Sequence, residues 1–210
     1  MKKLVTVLLI AALIVTGLWF FFFRSKPKAD TGPVQQPLTV SKHSPVFNVS
    51  ANKMLAAYYD LTEAFVVWDS AAVGSRSDLL KTAIDSLKLS ELQKDTIIFE
   101  TAAGVRDNAR AEIDGLINDK SLEEKRLAFN SLTQYIYDLL RVVRFDQAKI
   151  YFQECPMAFG DEHPGNWLSK TADVRNPYLG TQHPKYKDKM VDCGGPRDTL
   201  NFMVADTTKH

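Results

Sequence analysis

Cysteine is scarce in this chain: two in 210 residues, Cys155 and Cys193. Net charge is nearly absent too, with 26 Lys+Arg against 25 Asp+Glu, a formal +1. A balance of that kind gives no reason to expect a nucleic-acid partner. The sequence has no G-x-S-x-G, no H-E-x-x-H, no P-loop and no G-x-G-x-x-G, which removes the common hydrolase, metalloprotease and nucleotide signatures. A Cys155–His163 or Cys155–His183 nucleophilic pair would lack a third group to orient it, so an enzyme is not expected. Internal repeats, long heptads and low-complexity tracts are all missing.

One long apolar run is present. Leu4 to Phe23 carries no charge over 20 residues, and a helix of that length spans about 30 Å, the hydrocarbon thickness of a bilayer. Lys2 and Lys3 precede it. It ends in Trp19-Phe20-Phe21-Phe22-Phe23 with no small-x-small cleavage site and no following cysteine to take a lipid. The expectation is an uncleaved signal anchor over residues 1–24, with an aromatic belt at its far interface. The folded part would then stand outside, in the periplasm of a Gram-negative cell, on a single-pass inner-membrane protein. Residues 25–49, interrupted by Pro27, Gly32, Pro33, Pro37 and Pro45, read as a flexible linker.

From Ser50, a fair N-cap, the period becomes helical. Met54, Leu55, Tyr58, Leu61, Phe65 and Trp68 draw one apolar stripe. Asp69-Ser70 offers a second cap, Ile97 to Ile117 draws a third stripe, and Ser121-Leu122-Glu123-Glu124 is a capping box before Phe129, Leu132, Ile136, Leu139, Leu140 and Val143. Each stripe needs a partner, and short connections favour antiparallel neighbours. The spacing predicts a mainly α fold, an up-and-down four-helix bundle over residues 50–147. The aromatics Tyr58, Phe65, Trp68, Phe129 and Tyr135 read as core, and Glu123, Lys125 and Arg126 as a solvated outer face.

Residues 148–210 have a different texture, rich in Pro, Gly and aromatics. They predict an irregular lobe packed on the bundle, with a short β-hairpin and with Trp167 and Tyr178 as anchors. This lobe holds Cys155-Pro156-Met157 and Met190-Val191-Asp192-Cys193. Thiolate and thioether are soft donors that select Cu(I)-like ions, which makes Cys155, Met157, Met190 and Cys193 a candidate metal set. The same cysteines in an oxidising compartment form a disulfide instead. Cys-Pro-Met is not a zinc-type C-x-x-C, and the residues alone leave both readings open.

The runs Tyr151 to Ala158, Gly165 to Ser169, Val174 to Gly180, Asp188-Lys189-Met190 and Cys193-Gly194 together resemble the bacterial domain of unknown function three-three-four-seven. Its members occur as small exported proteins and fused to periplasmic adaptor subunits of heavy-metal efflux pumps. The resemblance covers roughly residues 50 to 195 and implies a helical domain in a context of copper, silver or similar efflux; joined to the soft donors and the export signal, it gives the expectation of a Cu(I)- or Ag(I)-binding accessory to efflux, with such an adaptor as partner. It carries Cys155, Met157, Met190 and Cys193 over as ligands, and Trp167, Arg175, Asn176, Pro177 and Tyr178 as the motif ordering the loop between them. Thr181 to Lys187 departs from the pattern as an insertion, which adds His183 as a further candidate ligand. His163, eight residues after Cys155, is another.

Overall fold

The computed structural model describes residues 43–160 and 163–203. The signal anchor expected at residues 4–23 and the linker as far as residue 42 lie outside them. No helix among the described residues is long and apolar enough to cross a membrane.

The first helix, α1, runs Pro45–Val66 and starts earlier than the periodicity suggests. Ser44, not Ser50, is its N-cap, accepting a hydrogen bond from the Phe47 amide at 3.1 Å. Pro45, which reads as a linker residue, sits in the first turn, where a missing N–H costs nothing. Ser50 lies inside the helix and donates to the Phe47 carbonyl. α1 stops at Trp68, which has a left-handed backbone (φ 60°). Asp69 then caps α2, Ser70–Asp85, by accepting from the Ala72 amide. A 3₁₀ segment, Leu89–Lys94, leads to α3, Thr96–Asn118, capped by Asp95. The Ser121–Glu124 capping box opens α4, Leu122–Val143.

Consecutive helices pack on one another. Side chains of α1 also meet α4: the Tyr58 and Phe129 rings stack at 5.4 Å, and Phe65 lies 4.8 Å from Phe129. Tyr58, Leu61, Phe65, Phe129, Leu132 and Ile136 have no exposed surface. At about 1.5–3 kcal/mol for each fully buried large apolar side chain, this stripe dominates helix stability over any propensity term.

Past α4 the chain forms a small antiparallel sheet of three strands in the order β2-β1-β3: β1 Ile150–Cys155, β2 Gly165–Ser169 and β3 Gly195–Leu200. The fold is therefore mainly helical with a three-stranded sheet. The strands exceed the hairpin expected from the sequence, because β3 returns from 26 residues beyond β2 to pair with the free edge of β1. Pro196 is tolerated because β3 is an edge strand. β2 docks on the helices through polar hooks. The Leu168 amide donates to Tyr58 Oη at 3.1 Å, Tyr58 Oη bonds Thr133 Oγ1 at 2.7 Å, and the Asn166 amide donates to Asn130 Oδ1 at 2.8 Å.

The expected solvated face of α4 holds at Glu123, which is exposed, and is corrected at the next charged pair. Lys125 and Arg126 are only 6% and 5% exposed. Lys125 Nζ bonds the Leu116 carbonyl, and the Arg126 guanidinium lies 3.9 Å from the centre of the Trp68 ring.

Candidate functional site

Cys155 is the last residue of β1 and pairs with Gly165 of β2. Cys193 ends the turn that feeds β3, where Gly195 pairs with Glu154. Register alone thus brings residues 38 apart in sequence side by side. Their Sγ atoms lie 2.9 Å apart, both as free thiols. Cys155 is fully buried and Cys193 is half-buried. Gly194 makes the approach feasible. Its φ is +120°, and a Cβ there would run into the Glu154 carbonyl and the Trp167 ring.

The environment keeps Cys193 protonated. Burial pushes its thiol up to about 12, and the contact with Cys155 and the charge of Asp192 push the same way. A neutral thiol at ordinary pH is a poor nucleophile and surrenders its proton to a metal at a cost.

Asn176 ties the second cysteine down. Fully buried, it donates from Nδ2 to the Cys193 carbonyl at 2.9 Å, and its Oδ1 accepts from the Tyr178 and Leu179 amides at 2.8 and 3.0 Å. Trp167 is buried on β2, and Tyr178, buried beside it with ring centroids 6.2 Å apart, donates to the Asn166 carbonyl. The Pro177 carbonyl accepts from Arg126 Nε at 3.2 Å. Arg175 is exposed and forms a two-pronged ion pair with Glu63 of α1.

The other sequence candidates fall in several places. The Met190 carbonyl accepts from the Cys193 amide at 3.1 Å, so both belong to one turn. Met157 lines a cleft that also includes Trp68, Arg126 and His183. His183 stacks on Tyr186 at 4.9 Å, edges onto Trp68 at 5.4 Å and accepts from the Lys185 and Tyr186 amides at Nδ1. The backbone of His163 closes a turn with Phe159 and Gly160. Among the described residues, no cluster of three or more His, Cys, Asp or Glu side chains is arranged to hold a metal ion. What the structure brings together is the dithiol pair. Two soft donors suit a two-coordinate soft cation only if the pair widens: with metal–sulfur bonds of about 2.3 Å, two sulfurs stand about 3.8 Å apart on a tetrahedral ion and about 4.6 Å apart on a linear one.

Arg126 and Trp68 were missed as site residues. The signal was in the spacing. Arg126 stands three residues before Phe129, so the apolar stripe of α4, carried back one turn, lands on it.

No family model matches the chain, and neither a curated protein nor a solved structure matches it.

Proposed function

We propose that this protein is an exported, membrane-anchored interaction module whose C-terminal lobe is locked onto its helices by a Cys155–Cys193 disulfide. The observation that carries the reading is the direct contact of the two Sγ atoms at 2.9 Å, closer than the spacing of two sulfurs on one metal ion and nearer to covalent closure. The helical part is read as an antiparallel up-and-down four-helix bundle, supported by sequential helix packing and by the Tyr58–Phe129 and Phe65–Phe129 contacts that join its first and last helices. The apolar run at residues 4–23 supplies the anchor.

A second reading keeps the reduced dithiol as a soft-donor pair for Cu(I) or Ag(I) in support of metal efflux, with a periplasmic adaptor as partner. It is favoured by Met190 sharing a turn with Cys193. The family resemblance belongs to this reading.

One experiment separates the two. Free thiols are counted on the protein before and after reduction, and the reduced form is titrated with Cu(I) against a competing chelator, beside Cys155→Ser and Met190→Leu. Zero free thiols before reduction and no competitive Cu(I) binding after it support the staple. Sub-micromolar binding, corresponding to more than about 8 kcal/mol and lost in both variants, would replace it with the metal reading.

A further inference from the structure

Trp68, the first turn of α4, residues 157–160 and the loop between Tyr178 and Tyr186 line a cleft of about 440 Å³, within the range of small-molecule sites. Arg126 forms part of its wall. This side chain is 5% exposed, and its hydrogen bonds go to two neutral acceptors: Nε to the Pro177 carbonyl at 3.2 Å and Nη2 to the Phe65 carbonyl at 3.4 Å. Among the described residues no carboxylate forms an ion pair with it, and Nη1 has no hydrogen-bond partner. Glu123, one turn earlier, acts on it only through its charge, and a buried cation with no carboxylate in contact is expensive to keep. Burial lowers its pKa to about 10, which still leaves it charged at neutral pH.

The surroundings add to the positive field and supply an apolar seat. Lys185 adds a second positive charge, against the single acid Glu123 among the described lining residues; His183 also lines the cleft, but burial and the charges of Arg126 and Lys185 push its imidazole toward the neutral form. Trp68 offers its ring face to the guanidinium and is fixed by an indole N–H bond to the Leu179 carbonyl at 3.1 Å. Its left-handed backbone, unusual for a bulky residue, is the kind of stored strain that collects at ligand sites. Met157 and Phe159 add apolar lining.

We propose that this cleft binds a small organic monoanion, a carboxylate carried on an apolar, ring-sized body. The carboxylate meets the free edge of Arg126, and the body lies against Trp68, Met157 and Phe159. A single buried cation matches one negative charge, and the mostly aromatic and aliphatic lining disfavours a polyanion. Neither thiol lines this site.

The probes are phenylacetate and its uncharged isostere phenylacetamide, added to the full chain in lipid nanodiscs and labelled with 5-fluorotryptophan. Resonances of Trp19, Trp68 and Trp167 are assigned by single Trp→Phe changes. Phenylacetate is expected to shift the Trp68 resonance saturably and leave Trp167 in place, with phenylacetamide at least about tenfold weaker for want of the charge-assisted pair. Arg126→Met, in samples whose near-ultraviolet circular dichroism is unchanged, abolishes the preference for the acid. Equal affinity of acid and amide for the unaltered protein overturns the proposal, as does an unmoved Trp68 resonance up to about 20 mM phenylacetate. A folded Arg126→Met that still prefers the acid overturns it too. The acid–amide comparison decides the matter even if that variant fails to fold.

Discussion

Closing Cys155 to Cys193 has a calculable effect on stability. The two positions are 38 residues apart, and removing that loop's freedom from the unfolded chain is worth about 4 kcal/mol on the chain-entropy treatment. Strain should subtract little here, because Cys155 is already pinned at the end of β1 and the Cys193 carbonyl is already held by Asn176. The assay is urea unfolding of the chain from residue 29 onward, oxidised and reduced, with free thiols counted in each sample. With a slope of about 2 kcal/mol per molar urea, the oxidised midpoint should stand about 2 M above the reduced one. Cys193→Ser should unfold like the reduced protein under either condition. A shift below about 0.5 M would refute the reasoning, because strain in the closed native state would then cancel the freedom the bond removes from the unfolded chain. Two thiols that stay titratable after oxidation of the folded protein would refute it more directly.

Tyr58→Phe removes a hydroxyl shared by Thr133 and the Leu168 amide; it should cost about 2–4 kcal/mol in urea unfolding, because a buried N–H loses its acceptor. The reduced protein should lose stability relative to the oxidised one as pH rises from about 9 toward 12. The folded Cys193 thiol holds its proton above the ordinary value of 9.0, so this contribution is whole below pH 9 and fades above it, and the oxidised form has no such proton to lose. Gly194→Ala, at φ +120° and against the Glu154 carbonyl, should slow disulfide formation by at least about tenfold in a timed thiol assay, since the turn must open to admit the methyl group. Arg175→Ala removes an exposed ion pair with Glu63 and should change unfolding free energy by less than about 1 kcal/mol.

The helical half was largely legible because period, caps and breakers agree. The Met54-to-Phe65 stripe, the Asp69 cap and the Ser121–Glu124 box all stand where their chemistry places them. The start of α1 was obscured by Pro45, which looks like a linker residue unless the preceding Ser44 is recognised as a cap. The sheet was harder to read. Its strands are five or six residues long, and β3, Gly195-Pro196-Arg197-Asp198-Thr199-Leu200, shows no alternation. A partner strand at long sequence separation leaves no local mark. Arg126 keeps the spacing of the apolar stripe, but its cover at Pro177 lies far off in sequence; Lys125 is buried separately, with its Nζ on the Leu116 carbonyl of α3. The convergence of the two thiols depends on the same long-range register, so the cysteine pair was a candidate from sequence and a contact only in the folded chain.

Asn176 shows why the lobe behaves as one unit. Its amide donates to the Cys193 carbonyl, and its oxygen accepts from the amides of Tyr178 and Leu179. Leu179 in turn accepts from the Trp68 indole, and Pro177 from Arg126. One buried side chain therefore joins the turn that carries a thiol to the loop that walls the cleft. Gly180, at φ +54° against the Val66 carbonyl and the Trp68 ring, lets that loop reach the end of α1. The lobe shares the core of the helices through Phe152, Trp167, Leu168 and Leu179, because fewer than fifty residues separate β1 from the end of β3, too few to enclose an apolar interior of their own; polar hooks add to that packing. In such a lobe each satisfied hydrogen bond also fixes position. That explains how so irregular a segment holds two sulfurs in contact.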